Sequence, residues 1–179
     1  MPFVCFSSYE TQLYTAVFCA AFFGFFRVSE LVQSKPGQEG IALRDVTIQK
    51  DKLVTFTLRH SKGDRAQLGV SIKLSAIPQH PLCPVRAMEN YLGVRPQGAA
   101  SAFVHFDHSN LTRFQFQAVL KKALDHSGHD ASNYSSHSFR IGAATTAAAN
   151  GISQEVIQSL GRWGSNAFHS YIRLPQILT

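Results

Sequence analysis

The chain has 179 residues, 45% of them hydrophobic and 16% charged, without a low-complexity tract or internal repeat, as in an ordinary folded soluble protein. That length suits one domain with a core of its own. Lys and Arg number 17 against 11 Asp and Glu, so the formal net charge is +6, and a pI of about 9.5 suits a polyanionic partner without requiring one.

Neither the cysteines nor the apolar N-terminal region indicates secretion or a membrane. Cys5, Cys19 and Cys83 are odd in number and lack the short spacing of a zinc or redox motif, which predicts a reduced, intracellular protein. The apolar run Leu13–Phe26 has 14 residues, whereas a bilayer span needs about 20, so we predict a buried core helix. No basic segment precedes an apolar one as in a signal peptide.

The first half of the chain predicts two helices followed by a small sheet. Helical spacing covers residues 8–26, with a bend at Gly24, and a short helix covers 28–33 before a turn. Three β-branched runs then predict an antiparallel meander with a charged hairpin between its second and third strands. These runs are Asp45–Gln49, Leu53–Arg59 and Val70–Leu74.

The second half predicts helices only. We expect them at 84–92 with Pro84 in the first turn, 111–126 capped by Asn110, 137–150 capped by Ser135 or Ser136, 153–160 opened by Ser153, and 166–172. The predicted fold class is therefore α+β, mostly helical, with a small three-stranded antiparallel sheet.

Three separated segments carry side chains suited to phosphate chemistry. His137 and Arg140 are three residues apart and would share one helix face, although such a pair at a helix start is most often solvated. Arg27 ends a long apolar run, where an arginine is either exposed to solvent or held for a purpose. Trp163 precedes Tyr171 near the C-terminal end.

Read in order, these segments resemble the tyrosine recombinase and phage integrase family. The matching blocks are Gly24-Phe-Phe-Arg-Val-Ser-Glu-Leu31, His137-Ser-Phe-Arg-Ile-Gly-Ala-Ala-Thr145, and Leu160-Gly-Arg-Trp163 with Tyr171-Ile-Arg173. The resemblance implies a DNA breaking-rejoining catalytic domain over residues 1–179. The dipeptide Arg162-Trp163 and the hairpin Ser61-Lys-Gly-Asp64 look most like those of eukaryotic mobile-element recombinases of the Crypton and DIRS-like groups. That resemblance implies a nuclear location.

The resemblance also implies a role for each of six side chains. Tyr171 would be the nucleophile that forms a 3′-phosphotyrosyl link, and Arg27 and Arg140 would hold the non-bridging phosphate oxygens. His137 would position the phosphate and manage the tyrosine proton, and Trp163 would donate its ring N–H. Lys62 is the candidate acid for the leaving 5′-oxygen. Arg65 and Lys73 are weaker candidates for the acid, and Tyr134 is the rival tyrosine.

The implied partner is double-stranded DNA, with self-association into a tetramer on DNA as in the family, and without cofactor, metal or membrane. The paired histidines His105/His108 and His126/His129 lie in polar sequence and are interpreted as solvated loops. The family's N-terminal DNA-clamping domain is expected to be absent. Two alternatives remain open, a truncated or domesticated DNA-binding domain without recombination activity and a helical interaction module.

Overall fold

A computed structural model describes residues 4–5, 7–59 and 69–173. The helices of this part are α1 (Ser8–Phe23), α2 (Val28–Leu31), α3 (Pro84–Val94), α4 (Arg113–His126), α5 (Ser138–Ala149) and α6 (Gln154–Gly161). The strands are β1 (Val46–Gln49), β2 (Leu53–Leu58) and β3 (Val70–Ser75), and short 3-10 segments cover Leu43–Asp45, Ala131–Asn133 and Asn166–Tyr171. The predicted α+β fold class is confirmed.

Helix α1 runs through the centre of the larger core. The Ser7 side chain caps it by accepting the backbone N–H of Glu10 at 3.1 Å. Its middle residues are wholly buried among side chains from α2, α3 and the sheet, including Leu13, Ala16 and Val17. Apolar side chains on all sides of a helix are typical of such burial, which matches the prediction of a core helix.

Helix α1 ends at Phe23, three residues earlier than predicted, and the reason is local. The chain leaves the helix at Gly24, where the bend was predicted, and the turn continues through Phe25, whose φ of 50° lies in the left-handed region. Gly24 is also needed for space, because a Cβ there would lie 2.2 Å from the Phe26 ring. This turn brings Arg27 to the start of α2.

The sheet has the predicted antiparallel order β1-β2-β3, with β2 in the middle. Val54, Phe56 and Leu58 of β2 alternate into the core, as a strand with one buried face requires. The predicted first strand began one residue too early, because Asp45 lies in a 3-10 turn. The predicted second strand ended one residue too late, because Arg59 leaves the strand and donates to the Asp45 carboxylate. The hairpin, and with it Lys62 and Arg65, lies outside the described residues.

Two predicted helix starts were wrong. Leu111 pairs in extended conformation with Gln33 and Phe103, so α4 begins at Arg113 and its N-cap is Thr112, not Asn110. Helix α5 begins at Ser138 without a side-chain cap, because the Ser135 hydroxyl accepts the N–H of His137 in the preceding turn. Pro84 in the first turn of α3 and Ser153 as N-cap of α6 agree with the prediction.

A second, smaller core lies under the C-terminal part of the chain and supports the candidate site. It consists of Phe25, Ala143, Ala144, Ile157, Trp163 and Phe168, with Tyr171 packed against it. Within the described ranges, no helix is both long and apolar enough to cross a membrane. In the same part of the chain, no group of three His, Cys, Asp or Glu side chains is placed to hold a metal ion.

Candidate active site

Arg27 lies at the open side of the site, held by an acidic neighbour. It is the N-cap of α2, and the Glu30 carboxylate accepts both its backbone N–H at 2.8 Å and its Nη1 at 3.0 Å. The Arg27 side chain is 33% exposed, whereas that of Glu30 is 8% exposed. The guanidinium is therefore oriented from behind while part of it still faces solvent.

Arg140 lies at the bottom of the site, in the first turn of α5, and is 1% exposed. Its Nη1 donates to the Phe25 carbonyl and its Nη2 donates to the Gly161 carbonyl at 2.7 Å. Its Nε has no partner among the described residues. Burial, with smaller contributions from Arg27 and Arg162, lowers the pKa of Arg140 to about 10, so the side chain is still a cation at neutral pH.

His137 stands beside Tyr171 at the N-terminal end of α5. The centroids of the two rings are 4.8 Å apart. Partial desolvation, followed by the positive charges of Arg140 and Arg27, lowers the pKa of His137 below its usual 6.5. The imidazole is therefore mostly neutral at pH 7 and able to accept a proton.

Trp163 forms the wall between Arg140 and Tyr171. Its ring centroid lies 4.5 Å from the Arg140 guanidinium carbon and 4.9 Å from the Tyr171 ring centroid. The residue is 9% exposed, and its indole N–H is buried without a partner in the described part of the chain. Packing in the small core and an N–H without a partner among the described residues are thus combined in one side chain.

Tyr171 ends the last 3-10 turn and is half-buried. The Thr145 hydroxyl of α5 donates to the Tyr171 carbonyl at 3.1 Å and accepts the N–H of Arg173 at 3.0 Å. One hydroxyl thereby holds the backbone on both sides of the tyrosine. The Arg140 guanidinium carbon is 5.8 Å from the Tyr171 ring centroid.

The structure brings five of the six predicted side chains into one neighbourhood, from three distant segments. The sixth, Lys62, lies outside the described residues and stays a prediction. The rival Tyr134 has its ring against His129 and not against the site. Unpartnered donors also concentrate here: of the five buried side-chain polar atoms without a partner in the described ranges, three are Arg140 Nε, Arg162 Nε and Trp163 Nε1.

Sequence reasoning missed Glu30, Arg162 and Thr145. A signal for Glu30 was present, because an acid three residues after the N-cap has the capping-box spacing. Arg162 adjoins Trp163 in the sequence, but nothing in the pattern shows that its side chain reaches back to Glu30, at 2.8 Å. Thr145 has no local signal, since its partners lie 26 and 28 residues away.

Comparison with known proteins identifies the family of the chain. Residues 11–172 match the model of the Phage integrase family. The chain therefore belongs to the phage integrase, or tyrosine recombinase, family. It is 29% identical over 169 residues to an integrase/recombinase xerD homolog from Selenomonas ruminantium, covering 90% of this chain and 47% of the relative.

Two solved recombinase structures share the fold. The XerH site-specific recombinase, in a post-cleavage complex with palindromic difH substrate, superposes with a TM-score of 0.71 at 13% identity, over 96% of this chain and 45% of that chain. The Tn1549 transposon integrase, in complex with circular intermediate DNA, gives a TM-score of 0.60 at 12% identity, over 98% of this chain and 58% of that one. The chain thus spans about half the length of these relatives.

Proposed function

We propose that this chain is the catalytic domain of a site-specific DNA recombinase that cleaves and rejoins a strand through Tyr171. The observation that carries the proposal is the pair of buried, unpartnered N–H donors, Arg140 Nε and Trp163 Nε1, beside the tyrosine. Buried donors without partners are costly, and a phosphate oxygen is an acceptor that satisfies them. The Arg140 charge favours an anion over a neutral acceptor.

The proposed reaction is a transfer of one phosphodiester bond to the protein and back. The Tyr171 oxygen attacks the scissile phosphorus, the bond to the 5′-oxygen breaks, and a 3′-phosphotyrosyl link forms. His137 takes the phenol proton, and Lys62 gives a proton to the leaving 5′-oxygen. Arg27, Arg140 and Trp163 hold the non-bridging oxygens, where negative charge accumulates in the transition state.

Rejoining is the same reaction run backwards with a second strand. A 5′-hydroxyl attacks the phosphotyrosyl phosphorus, loses its proton to the group that served as acid, and releases the tyrosine. One phosphoester bond forms for each that breaks, so the energy of the original bond is retained in the link. The proposed chemistry therefore uses only side chains of the protein and the DNA itself.

The proposed partner is double-stranded DNA, and the positive net charge of +6 supports it. Both solved neighbours are described in complex with DNA. We also propose self-association on DNA, an intracellular location, and an origin among Crypton- or DIRS-like elements with a nuclear location. The Crypton- or DIRS-like origin and the nuclear location depend on the Arg162-Trp163 dipeptide and the hairpin sequence around Lys62. The intracellular location depends on the three cysteines, and self-association depends on the family resemblance.

The test is a suicide DNA substrate, nicked so that a short 5′-hydroxyl fragment leaves after cleavage. The wild-type chain is expected to form a covalent adduct that survives denaturing electrophoresis, and Tyr171→Phe to form none. Tyr134→Phe is the matched control and should retain the adduct. An adduct that persists in Tyr171→Phe contradicts the proposal, and salt-dependent DNA binding without any adduct supports the non-catalytic DNA-binding alternative.

A further inference from the structure

Arg162 is a buried cation for which the proposed reaction has no use. It follows α6 in a left-handed backbone conformation, with φ 56° and ψ 43°, and its side chain is 9% exposed. Such a conformation is uncommon for residues other than glycine and costs roughly 1 kcal/mol or more. Its contacts must therefore offset the cost of both the conformation and the burial.

Those contacts join the end of the chain to the turn before α2. Nη1 of Arg162 donates to the Gly24 carbonyl at 3.1 Å, and Nη2 donates to the Phe25 carbonyl at 3.2 Å and to Glu30 Oε2 at 2.8 Å. The carbonyl of Phe25, a residue with left-handed φ, also accepts from Arg140. Arg162 and Phe25, which both have a left-handed backbone conformation, are thus joined by a hydrogen bond.

Glu30 connects Arg162 to Arg27. Its Oε1 accepts Arg27 Nη1, while its Oε2 accepts the Arg27 backbone N–H and Arg162 Nη2. The carboxylate is therefore fixed at both oxygens. Without Arg162, Oε2 would keep only the Arg27 backbone N–H, and the carboxylate would be held by Arg27 alone.

The net charge of the site also predicts that loss of Arg162 weakens the site. Arg27, Arg140 and Arg162 against Glu30 leave two net positive charges at the site, and loss of Arg162 would leave one. Burial lowers the pKa of Arg162, while the Glu30 carboxylate opposes that effect and helps keep the guanidinium charged. The buried charge of Arg162 therefore depends on Glu30.

We propose that Arg162 is a positioning residue for strand cleavage: it fixes Glu30, and Glu30 in turn aims Arg27 at the scissile phosphate. This inference rests on the proposed function and adds a residue to it. Arg162 acts through Arg27 and not by contact with the phosphate, although its own Nε is buried without a partner among the described residues. That distinction can be measured.

The experiment is a double-mutant cycle on the full chain with the suicide substrate. Arg162→Met is expected to lower the cleavage rate at saturating DNA by about 10- to 100-fold, the size of effect that misplacement of a reacting group by about 1 Å produces. The Kd for DNA should stay the same, and Arg162→Lys, which keeps a cation beside Glu30, should regain part of the rate. In an Arg27→Lys background, Arg162→Met should cost little more.

Equal losses in both backgrounds, or a loss that appears in the Kd, would overturn the inference and point to direct phosphate contact or a structural role. Arg95→Met is the control, since Arg95 is also a buried arginine and donates to the carbonyls of Pro96, Ala99, Ser101 and Ala102, none of which belongs to the site. It should leave the cleavage rate of folded molecules unchanged.

A second measurement does not require cleavage. The ¹⁵N–¹H signals of the Arg27 guanidinium, assigned by their loss in Arg27→Lys, should shift or broaden in DNA-free Arg162→Met and stay unchanged in Arg95→Met. Unchanged signals in Arg162→Met would overturn the inference. If the wild-type chain forms no covalent adduct, the proposed function fails, and these signals still decide whether Arg162 positions Arg27.

Discussion

Arg95 and Arg140 are both buried arginines that donate to main-chain carbonyls, and they differ in what remains unpaired. Arg95 places Nε on Ala102, Nη1 on Pro96, and Nη2 on Ala99 and Ser101, so each nitrogen has a partner. Arg140 uses both Nη groups and leaves Nε without a partner among the described residues. A structural arginine requires a partner for every nitrogen, whereas the unpaired Nε of Arg140, a cation beside Trp163 and Tyr171, indicates a ligand.

Among the substitutions that test this difference, Arg140→Met has the largest expected effect. If Arg140 holds the phosphate, cleavage of the suicide substrate should fall about 10³-fold, as for loss of a donor to a developing negative charge. Arg140→Lys should recover little, because a compact ammonium lacks the planar set of donors with which Arg140 binds two carbonyls and keeps Nε for the phosphate. Single-turnover rates at saturating DNA measure both variants, and a rate within about tenfold of wild type for Arg140→Met would remove it from the site.

Arg95→Met is expected to lower the stability of the fold and to leave the cleavage rate per folded molecule unchanged. Its carbonyl partners would lose their donors in a buried setting, so the free energy of unfolding should fall by about 3 kcal/mol. Urea denaturation measures that loss, and the rate per folded molecule gives the matching activity. A rate loss on the scale of Arg140→Met would mean that buried arginines here are not divided between structural and functional roles.

Trp163→Phe sharpens the comparison by removing one donor and keeping an aromatic ring. The ring contacts with Arg140 and Tyr171 can remain, while the unpartnered indole N–H is lost. We expect cleavage to fall by about tenfold, equal to about 1.4 kcal/mol, since that N–H would act on one phosphate oxygen. Thermal unfolding should change far less, and an unaltered rate would assign Trp163 to packing alone.

The smallest expected effect concerns His137. In an NMR pH titration of the DNA-free chain, its midpoint should lie below 6.5, because partial desolvation and the nearby arginines disfavour the imidazolium. Arg113→Gln removes one of those charges and should raise the midpoint. The unfolded chain binds this proton more readily, so its contribution to folding stability declines as the pH falls through 6.5 toward the folded pKa. A midpoint at or above 6.5 would contradict the predicted electrostatics.

The sequence predicted those features that depend on local pattern. Alternating β-branched residues identified the three strands, and Pro84 and Ser153 marked helix starts, because the physical cause lies within a few residues of each. Boundaries that depend on distant partners were wrong. Leu111 was assigned to a helix, but its pairing with Gln33 and Phe103 keeps it extended.

The candidate site divides in the same way. Five side chains could be named from three sequence blocks, and the structure places them side by side. Arg162 could not be named, because its role depends on left-handed backbone at two points 137 residues apart and on a carboxylate between them. Nothing in the local sequence predicts φ above zero at a phenylalanine or an arginine.

Thr145 affects how the activity of a related sequence can be judged from its signature residues. Its single hydroxyl ties the backbone on both sides of Tyr171 to α5, yet it touches none of the reacting groups. A copy with valine or alanine there would retain all six signature side chains and still have an untethered nucleophile. The presence of all six signature residues therefore does not by itself establish that a sequence of this family is active.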